Sequence, residues 1–220
     1  MSNAIRDASG ITERECEMNL DTYVFSKQPG FVETKTRKAF KQAVPLRTVV
    51  LYCYDPRAVN IPRAVAKALP GEVYPGEIVL DEKGRKVAST TTIFAVVVAG
   101  GRAVDSLRSI TVAQHLFGVE NIVVVHHTYC GATSFTPEGL VKAFRDEQGV
   151  DISALYDCNN IAIADYESSL RRDVRILRES KGTPKKAKIY GYLFDIDTEA
   201  LTLIVEDNPA QGEETQGEKK

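Results

Sequence analysis

His127 and Cys130 stand three apart in the run His127-Thr-Tyr-Cys130-Gly131, and Cys53 closes an apolar segment far upstream. A neutral imidazole and two thiolates make a good zinc site, and three protein ligands leave a fourth position for water. Two ligands from one turn can reach a single ion without a long loop, whereas Cys53 must be delivered by the fold. Alone at a strand end, a cysteine reads as a small buried hydrophobe; in company with His127 and Cys130 it reads as a ligand, one zinc ion per subunit. Beside it stand Asp55 and Arg57. Asp55 has three options: to bind the metal, to accept a hydrogen bond from metal-bound water, or to pair with Arg57. A bidentate contact from Arg57 would orient the carboxylate and keep it off the metal.

The elements that would bring these residues together follow from the apolar pattern. Arg47 to Cys53, Ile93 to Val98 and Asn121 to His126 are short β-branched runs of the kind buried in parallel sheets. Helical patterns separate them: Asn60 to Leu69, stopped by Pro70-Gly71, and Ala103 to Phe117, with Gly118 as its C-terminal cap. Further helices are expected from about Thr136 to Gln148 and from Ser168 to Glu179. Val73 to Leu80 and Lys86 to Thr92 flank the polar turn Asp81-Glu-Lys-Gly84 and predict a hairpin. Ile189 to Asp195 and Leu201 to Glu206 predict a terminal strand pair.

The expected fold class is α/β, a mostly parallel central sheet flanked by helices, with an N-terminal helical arm and a C-terminal strand pair. The predicted organisation is an arm over residues 1–44, with helices at Ala4 to Leu20 and Thr34 to Gln42, a zinc domain over 45–207 and a disordered tail over 208–220. Ligands of such sheets gather at the carboxyl ends of the strands, where Cys53 and the His127–Cys130 turn would meet.

Composition narrows the function classes. The 220 residues are 43% hydrophobic and 26% charged, with a net charge of −2. A chain of that size buries roughly 70% of its extended surface and needs no disulfide scaffold. The charge balance argues against a nucleic-acid or anionic-membrane partner. No apolar run reaches the roughly 20 residues a membrane span requires. Glu13, Glu15 and Glu17, without a signal-like apolar region, point to a cytoplasmic location. No C-x-x-C is present, which disfavours a thiol redox enzyme. Cys16 and Cys158 read as structural or exposed thiols, His115 as a partnered structural histidine, and His126 as either a support for the ligands or a proton carrier.

Cys53-Tyr-Asp55-Pro-Arg57, Ala99-Gly100-Gly101, Ser106-Leu-Arg108-Ser and His127-Thr-Tyr-Cys130-Gly131 together resemble the β-class carbonic anhydrases, whose signature is C-x-D-x-R followed by H-x-x-C-G. The resemblance spans roughly residues 45 to 206, including Tyr190-Gly-Tyr-Leu-Phe-Asp195. It implies Cys53, His127 and Cys130 as zinc ligands, Asp55 and Arg57 as a catalytic dyad, and a homodimer or dimer of dimers with sites near the subunit interface. The chain departs from the family pattern at Pro56, where Ser is common, and at Val97-Val98, where many members carry Arg-Asn. It also has a longer link, Ile78 to Phe94, which reads as an inserted hairpin. The His126-His127-Thr-Tyr-Cys-Gly context is similar to a divergent branch that contains carbonyl sulfide hydrolases.

The implied reaction is metal-assisted hydration of a small linear electrophile, CO2 to bicarbonate or COS to H2S and CO2, since zinc brings the pKa of bound water toward about 7. Backbone N–H groups of Gly100 and Gly101, opening the Ala103 helix, are candidates for holding the anionic product. A closed site with Asp55 permanently on the metal would instead make a non-catalytic protein with a structural zinc.

Overall fold

The structure, a computed structural model, describes residues 19–209. The helix expected at Ala4 to Leu20 lies almost wholly outside them, as do Cys16 and the tail beyond Pro209. The chain divides into two compact units, Met1–Thr36 and Arg37–Lys220. In the first, the described residues form two 3-10 turns, Leu20–Tyr23 and Phe25–Lys27. Asn19 caps the earlier turn, its side chain accepting from the Asp21 N–H at 3.1 Å. α1 (Glu33–Ala43) begins in this unit and ends in the next.

The second unit is built on β1 (Thr48–Cys53), all six residues of which are buried. A strand buried on both faces must be apolar at every position, and Val49-Val-Leu-Tyr-Cys53 meets that demand. A 3-10 turn, Pro56–Ala58, leads into α2 (Ile61–Ala68). β2 (Ile78–Leu80) and β3 (Lys86–Ser89) form a separate antiparallel hairpin, and β4 (Ile93–Val98) returns beside β1. α3 (Leu107–Leu116) leads to β5 (Asn121–His127), and α4 (Pro137–Gln148), α5 (Cys158–Ile161) and α6 (Tyr166–Glu179) lead to β6 (Lys188–Phe194). β7 (Leu201–Asp207) closes the element order.

The five-stranded sheet runs β4-β1-β5-β6-β7, parallel except for the last pair. Alternate residues of its strands serve two cores. On one face Val49, Leu51, Ile122, Val124 and Ile189 meet Ile110 of α3 and Leu170, Val174 and Leu177 of α6. On the other, Val50, Tyr52, Val123, Val125 and Phe194 meet Ile61 and Val65 of α2. The expected fold class therefore holds, terminal strand pair included. The chain passes from β4 over β1 to β5, a reversal of strand order of the kind beside which α/β sheets place their ligand sites, beyond the carboxyl ends of the strands.

Two expectations change, and one element is new. The helix expected from Ala103 is a 3-10 turn, Ala103–Asp105, followed by α3 from Leu107. The reason is local: the buried Ser106 hydroxyl donates back to the Ala103 carbonyl at 2.8 Å, a bond that competes with a continuous helix. The hairpin strands are shorter than Val73–Leu80 and Lys86–Thr92, because Pro75 and Gly76 interrupt the first. Gly76 lies so close to Thr91 that a Cβ there would meet its backbone N at 2.2 Å. α5 carried no apolar period to reveal it; it rests on the Asp157 side chain accepting from the Asn159 N–H at 2.8 Å.

Candidate metal centre

Cys53 is the last residue of β1, His127 the last of β5, and Cys130 follows one turn later. All three are buried, and one ligand atom from each lies within 4.8 Å of the others. The two sulfurs are 3.9 Å apart. Parallel pairing of β1 and β5, with Tyr52 opposite Val125, delivers these strand ends to one edge. Tyr129, between the two later ligands, sits at φ +55. A left-handed non-glycine residue costs on the order of 1–3 kcal/mol and persists only where its surroundings hold it. The reversal turns Cys130 back toward His127, and Arg57 Nη2 holds the Tyr129 carbonyl at 3.0 Å.

The imidazole is oriented for ligation. Its Nδ1 lies 2.8 Å from the Thr128 carbonyl oxygen, which can only accept, so Nδ1 carries the hydrogen and Nε2 presents a lone pair. Nε2 is buried and has no hydrogen-bond partner. A buried acceptor without a donor is costly unless something electron-poor fills its place. With two thiols beside it, the donor set fits a zinc ion.

Proton affinities bear on the same point. The Cys130 thiol donates toward Cys53, and with help from His127 and the Asp55 and Gly100 amides Cys53 falls to about 4, against the pull of burial. Cys130, the partner that keeps the shared proton, is pushed up by Cys53 and by burial. Burial works to lower His127, but the Cys53 sulfur and the Thr128 carbonyl raise it above the ordinary value. A metal displaces that shared proton and is favoured as pH rises.

Asp55 and Arg57 are paired. Arg57 Nε donates to Oδ1 at 3.0 Å and Nη2 to Oδ2 at 2.7 Å, with the Arg57 backbone N–H on Oδ1 at 2.9 Å. The guanidinium and that N–H hold Asp55 down at about 2, so it is a carboxylate at neutral pH. Its Oδ2 is 4.0 Å from His127 Nε2. Pro56 is accommodated because Asp55 caps the Pro56–Ala58 turn, where a first residue without N–H loses nothing.

Gly100 and Gly101 do not open the α3 helix. They form part of a 3-10 turn at φ +61 and +66 and are buried behind Cys53. A Cβ on Gly101 would meet Val125 O at 2.9 Å and Tyr52 Cα at 3.0 Å, so the turn can lie against β1 only without a side chain.

His126 points away from the ligand group. Its Nε2 lies 2.9 Å from Ser169 Oγ and 3.6 Å from Asp173 Oδ2, and burial followed by the Arg102 charge pushes it down to about 3. It is therefore a neutral ring at neutral pH. Arg102 and Asp173, both buried, were not singled out from sequence. The signal for Asp173 was a charge on the apolar stripe of α6, among Leu170, Val174 and Leu177. His115 and Cys158 are exposed and lie outside the ligand group.

No family model matches the chain. The Mycobacterium tuberculosis protein named beta-carbonic anhydrase 1 is 31% identical over 100 residues, 46% of this chain and 59% of that protein. The carbon disulfide hydrolase of Acidithiobacillus thiooxidans is 28% identical over 116 residues, 46% of this chain and 58% of that protein. The matched stretch thus spans less than two thirds of either relative. Among solved structures, carbonic anhydrase from Streptococcus mutans superposes with a TM-score of 0.57 at 24% identity, covering 84% of this chain and 93% of that one. The apo form of a carbon disulfide hydrolase gives 0.53 at 22% identity, covering 81% and 86%. Both share the fold described above. No helix among the described residues is long and apolar enough to cross a membrane.

Proposed function

From kinship with the β-carbonic anhydrase family, to which sequence and fold relate this chain, we propose that it hydrates CO2 to bicarbonate at a zinc site formed by Cys53, His127 and Cys130. The observation that carries the reading is the buried, unpartnered Nε2 of His127 facing two sulfurs that share a proton. A zinc ion held there supplies a Lewis acid that makes water nucleophilic near neutral pH.

The chain's own residues account for the rest. Asp55, ionised and gripped by Arg57, stands on the ligand side of the site as an acceptor only. It would accept the hydrogen bond of the attacking water and so aim its lone pair at the substrate carbon. Arg57 orients Asp55 and, through the Tyr129 carbonyl, ties it to the turn that carries Cys130. Both carboxylate oxygens are engaged by Arg57, which favours an open fourth position over a closed structural zinc site. Gly100 is assigned here to Cys53 support, through its amide, alongside the product-binding role implied for Gly100 and Gly101. The reading includes a homodimer or dimer of dimers. Tyr54 and Tyr129, 68% and 73% exposed and neighbouring the dyad, are surfaces that such an assembly would cover.

A second reading, hydrolysis of a sulfur analogue such as COS or CS2, is favoured by Val97-Val98 at the end of β4. Val98 pairs with Cys53 in register, so an apolar strand end lies beside the cluster. Less polar walls suit a less polar substrate. One preparation tests both: zinc-loaded protein is assayed by stopped flow for CO2 hydration and by sulfide release from COS and CS2. CO2 hydration that disappears together with stoichiometric zinc in Cys53→Ser is the expected result. Sulfide release without CO2 hydration would move the assignment to the second reading, and neither activity in zinc-replete protein would end both.

A further inference from the structure

Behind the cluster, Arg102 is 3% exposed and Asp173 fully buried. Arg102 Nε donates to Asp173 Oδ2 at 2.9 Å and Nη2 to Oδ1 at 3.2 Å. Burial raises Asp173, and the Arg102 fork pulls it back. The remaining donor, Nη1, reaches the carbonyls of Ala162 at 2.8 Å and Asn160 at 3.2 Å. Burying two charges is justified energetically only where every donor and acceptor is met, and removing one partner alone is severe.

What the fork holds bears directly on the ligands. Ile163, next in chain to Ala162, is buried against Cys53 and Cys130, and its N–H donates to the Ala132 carbonyl at 2.9 Å, two residues past Cys130. On its other side Arg102 continues directly from Gly100 and Gly101, both buried in the turn that follows β4. A Cβ on Gly100 would stand 3.1 Å from Ala132 Cβ and 3.4 Å from Ile163 Cδ1, so the glycine turn, the Ile163 segment and the Cys130 turn interlock. Asp173, on the long helix α6, is the fixed anchor of this assembly.

We propose that Arg102 and Asp173 are positioning residues for the metal centre: α6 holds Arg102, and Arg102 clamps both the glycine turn behind Cys53 and the Ile163 segment over the two sulfurs. This inference rests on Cys53, His127 and Cys130 being the metal ligands. It assigns the pair no contact with substrate or metal; it acts by keeping the sulfurs at ligand distance and dry.

The test uses the full chain. Arg102→Met combined with Asp173→Leu removes both charges at similar volume, which a purely structural ion pair tolerates well. Zinc affinity is measured by competition with a chromophoric chelator, and the geometry of the sulfurs by the thiolate-to-metal absorption of the cobalt-substituted protein. Expected is a folded protein, by circular dichroism and urea unfolding, with zinc affinity about 10- to 100-fold weaker and an altered cobalt spectrum, the range typical for groups that support metal ligands. Arg102→Lys, which keeps the charge but not the fork, is expected to fall between parent and double variant. Parental zinc affinity and cobalt spectrum in the double variant would overturn the proposal. Should the double variant not fold, Asp173→Asn takes its place, with weakened zinc binding expected and unchanged binding overturning it. Cys53→Ser is run alongside. If it keeps its zinc, the ligand assignment itself has failed and this inference falls with it; if it loses zinc while the double variant keeps it, only the positioning role is refuted.

Discussion

Gly101→Ala is the most exacting probe of how β1 and the glycine turn are joined. Two costs add. At φ +66 an L side chain pays about 1–2 kcal/mol for the left-handed conformation. The new methyl also meets Val125 O at 2.9 Å, Tyr52 Cα at 3.0 Å and the Tyr52 carbonyl carbon at 3.1 Å. These are backbone atoms of two central buried strands and cannot rotate aside, and overpacking of that kind costs about 1–3 kcal/mol. The expected loss is therefore about 2–5 kcal/mol. For a chain of this size the midpoint of thermal unfolding moves about 2–4 °C per kcal/mol, so a fall of about 4–20 °C follows.

Gly84→Ala isolates the first cost. Gly84 has nearly the same backbone angle, φ +73, in the β2–β3 hairpin turn, but a Cβ there meets nothing within 4 Å. Its expected loss is about 1–2 kcal/mol, from conformation alone. Urea unfolding of both variants at one protein concentration, with zinc present and with chelator, separates the terms. Gly101→Ala should also bind zinc more weakly, because displacing Tyr52 displaces Cys53 beside it, while Gly84→Ala should bind it as the parent does. Equal losses in the two variants, or parental zinc affinity in Gly101→Ala, would refute the close packing of the turn on β1.

Two further outcomes follow from the site and its supports. Arg57→Lys keeps a positive charge but cannot make the two-pronged contact to Asp55 or reach the Tyr129 carbonyl at the same time. Activity should fall about 10- to 100-fold with zinc content unchanged, as read by stopped flow and metal analysis on one sample; parental kcat/KM would remove Arg57 from the mechanism. Asp165 caps α6, and the Ser168 N–H bond lowers it below the usual carboxylate range. A lowered folded-state pKa stabilises above the unfolded value near 4 and ceases to do so as pH falls through the folded value. Asp165→Asn keeps the cap without the titration, so its stability should be less pH-dependent below pH 4 than the parent's; identical acid limbs would refute the assignment.

The two central strands, β1 and β5, were readable because they are buried on both sides. The edge strand β4 has the bounds its apolar run predicts, β1 ends at Cys53 as expected, and β5 runs one residue past the expected His126 to His127. Two-sided burial writes a continuous apolar signal that periodicity cannot obscure. Ends set by side-chain competition were not readable. Ser106 halts the Ala103 turn by a bond to a carbonyl three residues back, and nothing in its type distinguishes that use from an ordinary helical serine. The candidate ligands, Cys53, His127 and Cys130, were visible as types in a rare spacing. Their support was hidden, because Arg102 and Asp173 are 71 residues apart: Asp173 stood out only as a charge on the apolar stripe of α6, with nothing to name its partner.

That division has a physical cause, and it bears on how such a site is maintained. Ligand identity is constrained by the electronic needs of the ion, so it appears in the sequence as cysteine and histidine at strand ends. Ligand placement is constrained by backbone held in uncommon conformations: Gly100 and Gly101 in the left-handed region, and Tyr129 there without glycine's freedom. Each such residue tends to relax, and each is held by an arginine. Arg57 holds the Tyr129 carbonyl, and Arg102 follows the glycine pair and is itself anchored by α6. Arginine suits both tasks because its planar fork satisfies a carboxylate while a remaining donor reaches a carbonyl. Two guanidinium clamps, one at the mouth and one behind the sulfurs, thus hold the strained turns that carry the ligands. The outer clamp reaches solvent through Arg57 and could serve the proposed reaction; the inner one is sealed from solvent and can serve only the geometry.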